Sequence, residues 1–262
     1  MIVNASLLLF WFFIGICWGS FLNVVGYRLI HGLSVFYPLY SQCTSCKHKL
    51  VLFDLIPLFS WFRLKGYCRY CQEPISFLYP LIECITGVVS VLLYIYIPYD
   101  SPYFIFAAFF CSALIVIIRS DLEMMLISQW TTIFLVPLAF LATLCMHLPI
   151  SFFESIVGAC SGYAFLYCIS FFYRYCKSTE GIGQGDIDML CLIGAFLGPI
   201  GWWLTLIIAS FSGTIVAGYL MISSSKNNIV NLKIPFGPFL AFGSLVTLFW
   251  QQWLIALFMP SI

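Results

Sequence analysis

The sequence predicts an all-α polytopic membrane protein of about eight transmembrane helices, with one small soluble insertion after the first. Three observations predict it. Of 262 residues, 63% are hydrophobic and only 8% charged, and the mean hydropathy is +1.04. A soluble domain carries about 25% charged residues and cannot bury this much apolar surface, so the bilayer must solvate most of the chain. The apolar residues also fall into runs of span length, and the 11 basic residues fall in the breaks between them. A net charge of +1 points to no nucleic-acid partner; the expected surroundings are membrane lipid.

A crossing needs about 20 apolar residues. The expected spans are 5–27, 79–97, 103–118, 124–146, 152–173, 187–200, 202–222 and 237–258, the sixth being short. The first run lacks a basic n-region, so it is expected to be retained as a span. Pro137 predicts a kink in the fourth span, and Pro199-Ile200-Gly201 a tight turn between the sixth and seventh. The polar run Ser223–Asn231 separates the last two. With both termini outside, all 11 basic residues (Arg28, Lys47, Lys49, Arg63, Lys65, Arg69, Arg119, Arg174, Lys177, Lys226 and Lys233) share one face. The positive-inside rule makes that face cytoplasmic. The chain thus divides into span one (1–30), a cytoplasmic insertion (31–78) and a seven-helix membrane domain (79–262).

The insertion carries Cys43-x-x-Cys46 and Cys68-x-x-Cys71, with 21 residues between the pairs. Two such knuckles can present four thiolates tetrahedrally, and fewer than about 50 residues cannot build much of a core without a staple. Cys43, Cys46, Cys68 and Cys71 are therefore expected to hold structural zinc, with iron as the rival metal. Cytoplasmic reduction argues against disulfides. Lys65 and Gly66 suit a tight turn just before the second pair. The other eight cysteines read as packing residues, and His31, His48 and His147 suggest no nucleophile–base pair.

Acids near a membrane cost about 2.5–3.5 kcal/mol each at a helix centre and are functional candidates by default. Glu83 lies just inside the second span. Asp121 lies where the third span gives way to the fourth; Ser120-Asp121-Leu122-Glu123 also reads as a capping box. Asp186 closes Gly183-Gln184-Gly185-Asp186 at the start of the sixth, where an N-cap is the plain alternative. Asp121 and Asp186 come out at similar depth on one face. Two carboxylates sharing a site cannot both ionise cheaply, so one serves as general base and the protonated one as general acid. Gly183 and Gly185 would let backbone approach an extended substrate. Asn23, inside an apolar helix, suggests a polar contact across helices; Arg28 suggests a helix cap or a snorkelling side chain.

With these residues in hand, the chain resembles the type IV prepilin leader peptidases, a branch of the GxGD aspartyl intramembrane proteases. The resemblance rests on Gly19-Ser20-Phe21-Leu22-Asn23-Val24-Val25 with Tyr27-Arg28, the two CxxC pairs, Tyr79-Pro80-Leu81-Ile82-Glu83, Glu180-Gly181-Ile182-Gly183-Gln184-Gly185-Asp186 with Gly194-Ala195, and Ile234-Pro235-Phe236-Gly237-Pro238-Phe239. It implies that Asp121 and Asp186 are the catalytic pair, with Glu83, Glu180 and Asn23 in support. The implied substrates are prepilins or pseudopilins with a short basic leader, cut at the cytoplasmic face of a bacterial inner membrane. It implies, for many members, subsequent N-methylation with S-adenosylmethionine. The sequence departs from the family at Ile127-Ser128-Gln129, where Ile-Pro-Asp or Pro-Asn is usual, and at Asp188, where lysine is usual. Asp188 projects about 200° around the helix from Asp186, so the two acids do not pair directly. The rival readings are a cation or proton transporter, and a scaffold of a pilus or secretion assembly bound through the cysteine insertion.

Overall fold

A computed structural model describes residues 4–38, 40–145, 149–177, 181–223 and 234–258. Glu180, His147, Lys226 and Lys233 lie outside the described residues, as does most of the polar run before the last span. Among the described residues there are eight α-helices and no strand: α1 (Ala5–Ile30), α2 (Phe59–Arg63), α3 (Leu78–Tyr96), α4 (Pro102–Met124), α5 (Val136–Cys145), α6 (Phe152–Lys177), α7 (Gln184–Ser223) and α8 (Gly237–Phe258). Six of them are long and apolar enough to cross a membrane: α1, α3, α4, α6, α7 and α8. The chain is a multi-pass, all-helical membrane protein. It clusters into two compact units, 1–120 and 121–262.

In the first unit α1 and α3 lie antiparallel, meeting through small residues. Gly15 faces the Gly87 and Thr86 backbone, Gly19 faces Thr86 and Glu83, and the Phe12 ring covers Gly87. Between lipid-solvated helices the hydrophobic drive is weak, so association depends on close backbone approach and polar contacts. Asn23 supplies the polar contact expected of it. Its amide donates to the Tyr79 carbonyl at 3.1 Å and accepts from Arg119 Nε at 3.1 Å, tying α1 to α3 and α4. Arg28 does not snorkel. It is buried and donates to the Ser34, Val35 and Pro38 carbonyls at 2.7–3.2 Å, which folds the start of the insertion back over the end of α1.

In the second unit, α7 holds 40 residues, about 60 Å of helix against a hydrocarbon core of about 30 Å. It is two helices broken at Gly198, whose φ of 75° and ψ of −176° no side-chain-bearing residue adopts cheaply. The contacts with α6 reverse there. Ahead of the break Ser155 bonds the Ala195 carbonyl, Gly158 meets Gly194 and Gly162 meets Leu190; beyond it Ser161 bonds Trp202 and Phe165 meets Trp203. The first half therefore runs antiparallel to α6 and the second parallel to it. This is the turn expected near Pro199, with proline in the first turn of the second helix, where its missing N–H is harmless. The second half then packs antiparallel to α8 through Gly243 on the Thr205 carbonyl and a Thr205–Thr247 bond of 3.3 Å.

Two expectations are corrected. Ser120–Glu123 caps nothing: α4 runs through it to Met124, and the Met125 N–H still bonds the Asp121 carbonyl in helical register. The fourth span is not a kinked helix over 124–146. Two 3₁₀ turns, Gln129–Thr131 and Ile133–Leu135, precede the short α5, and Pro137 lies in the first turn of α5, where it bends nothing.

The Gly158–Gly194 crossing has backbone against backbone, so any side chain there must force the helices apart. Gly158→Leu is expected to destabilise the protein by about 1–3 kcal/mol, read as a lower thermal midpoint in detergent. Gly218→Leu, where nothing lies within 4 Å, should change stability by less than about 0.5 kcal/mol.

Candidate active site and metal centre

Asp121 sits in the last turn of α4, and Asp186 in the first turn of α7. Both belong to the second unit. Asp121 is 5% exposed, and its Oδ2 accepts the Gly237 backbone N–H at 2.9 Å, at the first residue of α8. That N–H is one of the four without an intrahelical partner at a helix start, and the helix dipole favours a carboxylate there. Asp186 is half-buried, and its backbone N–H bonds the Gly183 carbonyl at 3.2 Å. The two carboxyls are within electrostatic range of one another.

Glycines make this meeting sterically feasible. A methyl group on Gly185 would sit 2.7 Å from Ile127 Cβ. One on Gly237 would sit 2.6 Å from Asp121 Oδ2 and 3.1 Å from Ile127 Cδ1. Ile127 is thus wedged between the glycine loop that leads to Asp186 and the α8 start that holds Asp121. Gly183 is looser, with its nearest neighbour, Asp186 Oδ2, at 3.4 Å. Asp188 is buried and turned to Gln184, whose amide donates to it at 2.8 Å, in keeping with its expected divergence from Asp186.

Among the expected supporting residues, Glu83 and Asn23 lie in the first unit. Glu83 is buried on α3 and accepts the Leu58 N–H at 2.7 Å and the Ser20 hydroxyl. It thereby fixes Leu58, which is held at φ 60° and ψ −55°, and pins the insertion to the membrane helices. Sequence reasoning missed three residues here. Gly237 and Ile127 stood within motif stretches, but nothing local in them showed that they would meet Asp121 and the glycine loop. Arg119 did carry one, a lone cation in the apolar run Val116–Leu122; it is 1% exposed, bonded to Asn23 and stacked over the Tyr79 ring at 5.1 Å.

The four cysteines of the insertion meet in two matching knuckles. Cys43 N–H bonds the His48 carbonyl and Cys68 N–H the Glu73 carbonyl, at 3.0 and 2.9 Å. Lys47 and Gln72, four residues after each leading cysteine, both take φ 58°. All four Sγ atoms lie within 4.8 Å of one another, and Cys43 and Cys71 are 3.8 Å apart. Zinc–sulfur bonds of about 2.3 Å directed tetrahedrally place sulfurs about 3.8 Å apart, so the cluster could hold such an ion. Burial raises the Cys43 thiol, but the Cys46 and Ser45 backbone N–H groups outweigh it and bring it down to about 7. Despite the Glu73 backbone N–H, burial and the neighbouring thiols of Cys68, Cys46 and Cys43 push Cys71 up to about 11. A cation is what allows four crowded thiols to ionise together.

The Bacterial Peptidase A24 N-terminal domain model matches residues 13–97, and the Type IV leader peptidase family model matches residues 108–218. A Burkholderia pseudomallei (strain K96243) protein named Prepilin leader peptidase/N-methyltransferase is 32% identical over 266 residues, covering 90% of this chain and 83% of the relative. Proteins of the same name from Aeromonas hydrophila and Pseudomonas putida are 32% and 29% identical, covering 80% and 90% of this chain and 71% and 88% of their own. No solved structure matches. With both domain models matched in order and the relatives aligned over most of their length, the chain belongs to the type IV leader peptidase family.

Proposed function

We propose that the protein is an intramembrane aspartic endopeptidase that removes the short basic leader from prepilins or pseudopilins. The observation that carries this is the convergence of Asp121 and Asp186, with Ile127, Gly185 and Gly237 forming the wall beside them. The family supports the substrate class, since the relatives are named for prepilin processing. The basic residues at the ends of α1 and α6 and in the insertion support a cytoplasmic site on a bacterial inner membrane. The insertion 31–78 and the membrane domain 79–262 are taken as the functional divisions.

One carboxylate takes a proton from water, whose oxygen adds to the scissile carbonyl carbon. The other, protonated, gives its proton to the carbonyl oxygen. Collapse of the tetrahedral species breaks the C–N bond, and the departing amine takes a proton from the pair. A transporter would be expected to hold acids near mid-membrane in broken helices, whereas these two acids stand at helix ends.

Structural zinc on Cys43, Cys46, Cys68 and Cys71 would staple an insertion too small for a full core; its chemistry there is coordination only. The names of the relatives support a subsequent N-methylation, and S-adenosylmethionine as its donor rests on the resemblance to the family alone. No residue of this chain is assigned to that step.

Asp121→Asn and Asp186→Asn should each lower prepilin cleavage by about 10²–10⁴-fold or more while the protein still inserts and keeps its thermal midpoint. A variant that cuts at the wild-type rate overturns the assignment. The purified protein should carry one zinc by elemental analysis, absent from a Cys43→Ser/Cys46→Ser double variant. Because each thiol must lose its proton to bind, zinc affinity should weaken as the pH falls below about 11, where Cys71 is protonated, and more steeply below about 7, where Cys43 also regains its proton.

A further inference from the structure

The chain enters α7 through Gly183-Gln184-Gly185-Asp186. Glycines flank Gln184, so the backbone there is freer than at most helix starts. Gly183, just ahead of α7, has no side chain to cap the first unpaired N–H groups. Between Gly183 and Asp186, only Gln184 has a side chain that can tie the stretch down. Its amide donates to the Asp188 carboxylate at 2.8 Å and reaches the Tyr163 hydroxyl of α6 at 3.4 Å. Residues four apart share a helix face, so the first bond braces the opening turn of α7. The second fastens that turn to α6, which is held beside α7 by the close approach of Gly162 to Leu190.

Asp188 is 3% exposed, whereas Gln184 is exposed. A carboxylate withdrawn from water needs a donor, and among the described residues its hydrogen-bond donor is the Gln184 amide. Lysine, usual at this place in the family, has donors only and could not accept from Gln184. The packing of α6 on α7 does not need the bond, since Ser155, Gly158 and Gly162 already provide it. What the bond does fix is the stretch that delivers Asp186. Resting on the peptidase reading above, we infer that Asp188 is a positioning residue for the cleavage reaction. Through Gln184 it holds residues 183–186 in one arrangement, with Gly185 seated on Ile127 and Asp186 within electrostatic range of Asp121. Asp188 is itself buried and diverges from Asp186 around the helix, so it acts only through Gln184.

The test is steady-state cleavage of a prepilin peptide by full-length protein in nanodiscs. Asp188→Ala and Gln184→Ala should each lower kcat about tenfold with KM within about twofold, because a loosened Asp186 slows the chemistry rather than binding. Asp188→Asn keeps an acceptor oxygen without the charge and should stay within about twofold of the unaltered protein. The double variant, Gln184→Ala with Asp188→Ala, should be no slower than either single one, because both remove the same bond. Gln184 is exposed, so Gln184→Ala keeps the thermal midpoint and carries the test where Asp188→Ala does not fold. Either alanine variant at full kcat, Asp188→Asn as slow as Asp188→Ala, or single losses that multiply in the double variant overturn the inference. Failure of the unaltered protein to cut the peptide instead overturns the peptidase reading, and this inference falls with it.

Discussion

The candidate site depends on one hydrogen bond, from the Gly237 N–H to the Asp121 carboxylate. It joins the last turn of α4 to the first turn of α8, and it works because both partners need it. A helix start leaves N–H groups without partners, and a carboxylate withdrawn from water needs donors. The bond also explains why residue 237 must be glycine: a side chain would fall on the acceptor oxygen. Ile127 extends the same logic to Gly185, so the loop leading to Asp186 can close against the same wall. The site is therefore assembled from helix ends, where backbone polarity is available without breaking a helix inside the membrane.

The helices that position those ends meet through small residues rather than large apolar ones. Gly158 against Gly194, Gly162 against Leu190 and Gly243 against Thr205 bring backbones together where lipid supplies no drive for association. The same economy appears in the first unit at Gly15 and Gly87. Polar side chains add to it, as Asn23 does between Arg119 and the Tyr79 carbonyl and Ser155 on the Ala195 carbonyl.

The insertion is held differently, by fixed polar anchors at its edges. Arg28 gathers three carbonyls at its start, Glu83 captures Leu58 in its middle, and the twin knuckles bring four thiols together. Each anchor places a charged or metal-binding group where it finds all its partners within the insertion or the adjoining helix. A small polypeptide at a membrane surface, with many exposed aromatic residues, has little else to define its shape.

The sequence by itself determined the all-helical membrane class and the four-cysteine cluster, and marked out the two aspartates as candidates, because each leaves a local mark. Apolar length, a C-x-x-C spacing and an acid in an apolar context are visible without knowing what lies across the bundle. It misjudged the stretch after Asp121, since apolar composition cannot tell a spanning helix from 3₁₀ turns. It named Gly237 and Ile127 only within motif stretches without a contact for either, and read Arg28 as a helix cap or a snorkelling side chain and Arg119 only as part of the charge count. Only the tertiary structure decided these, because the value of a small residue, a wedge or a buried cation is set by what faces it, and those neighbours lie tens of residues or more away in the chain.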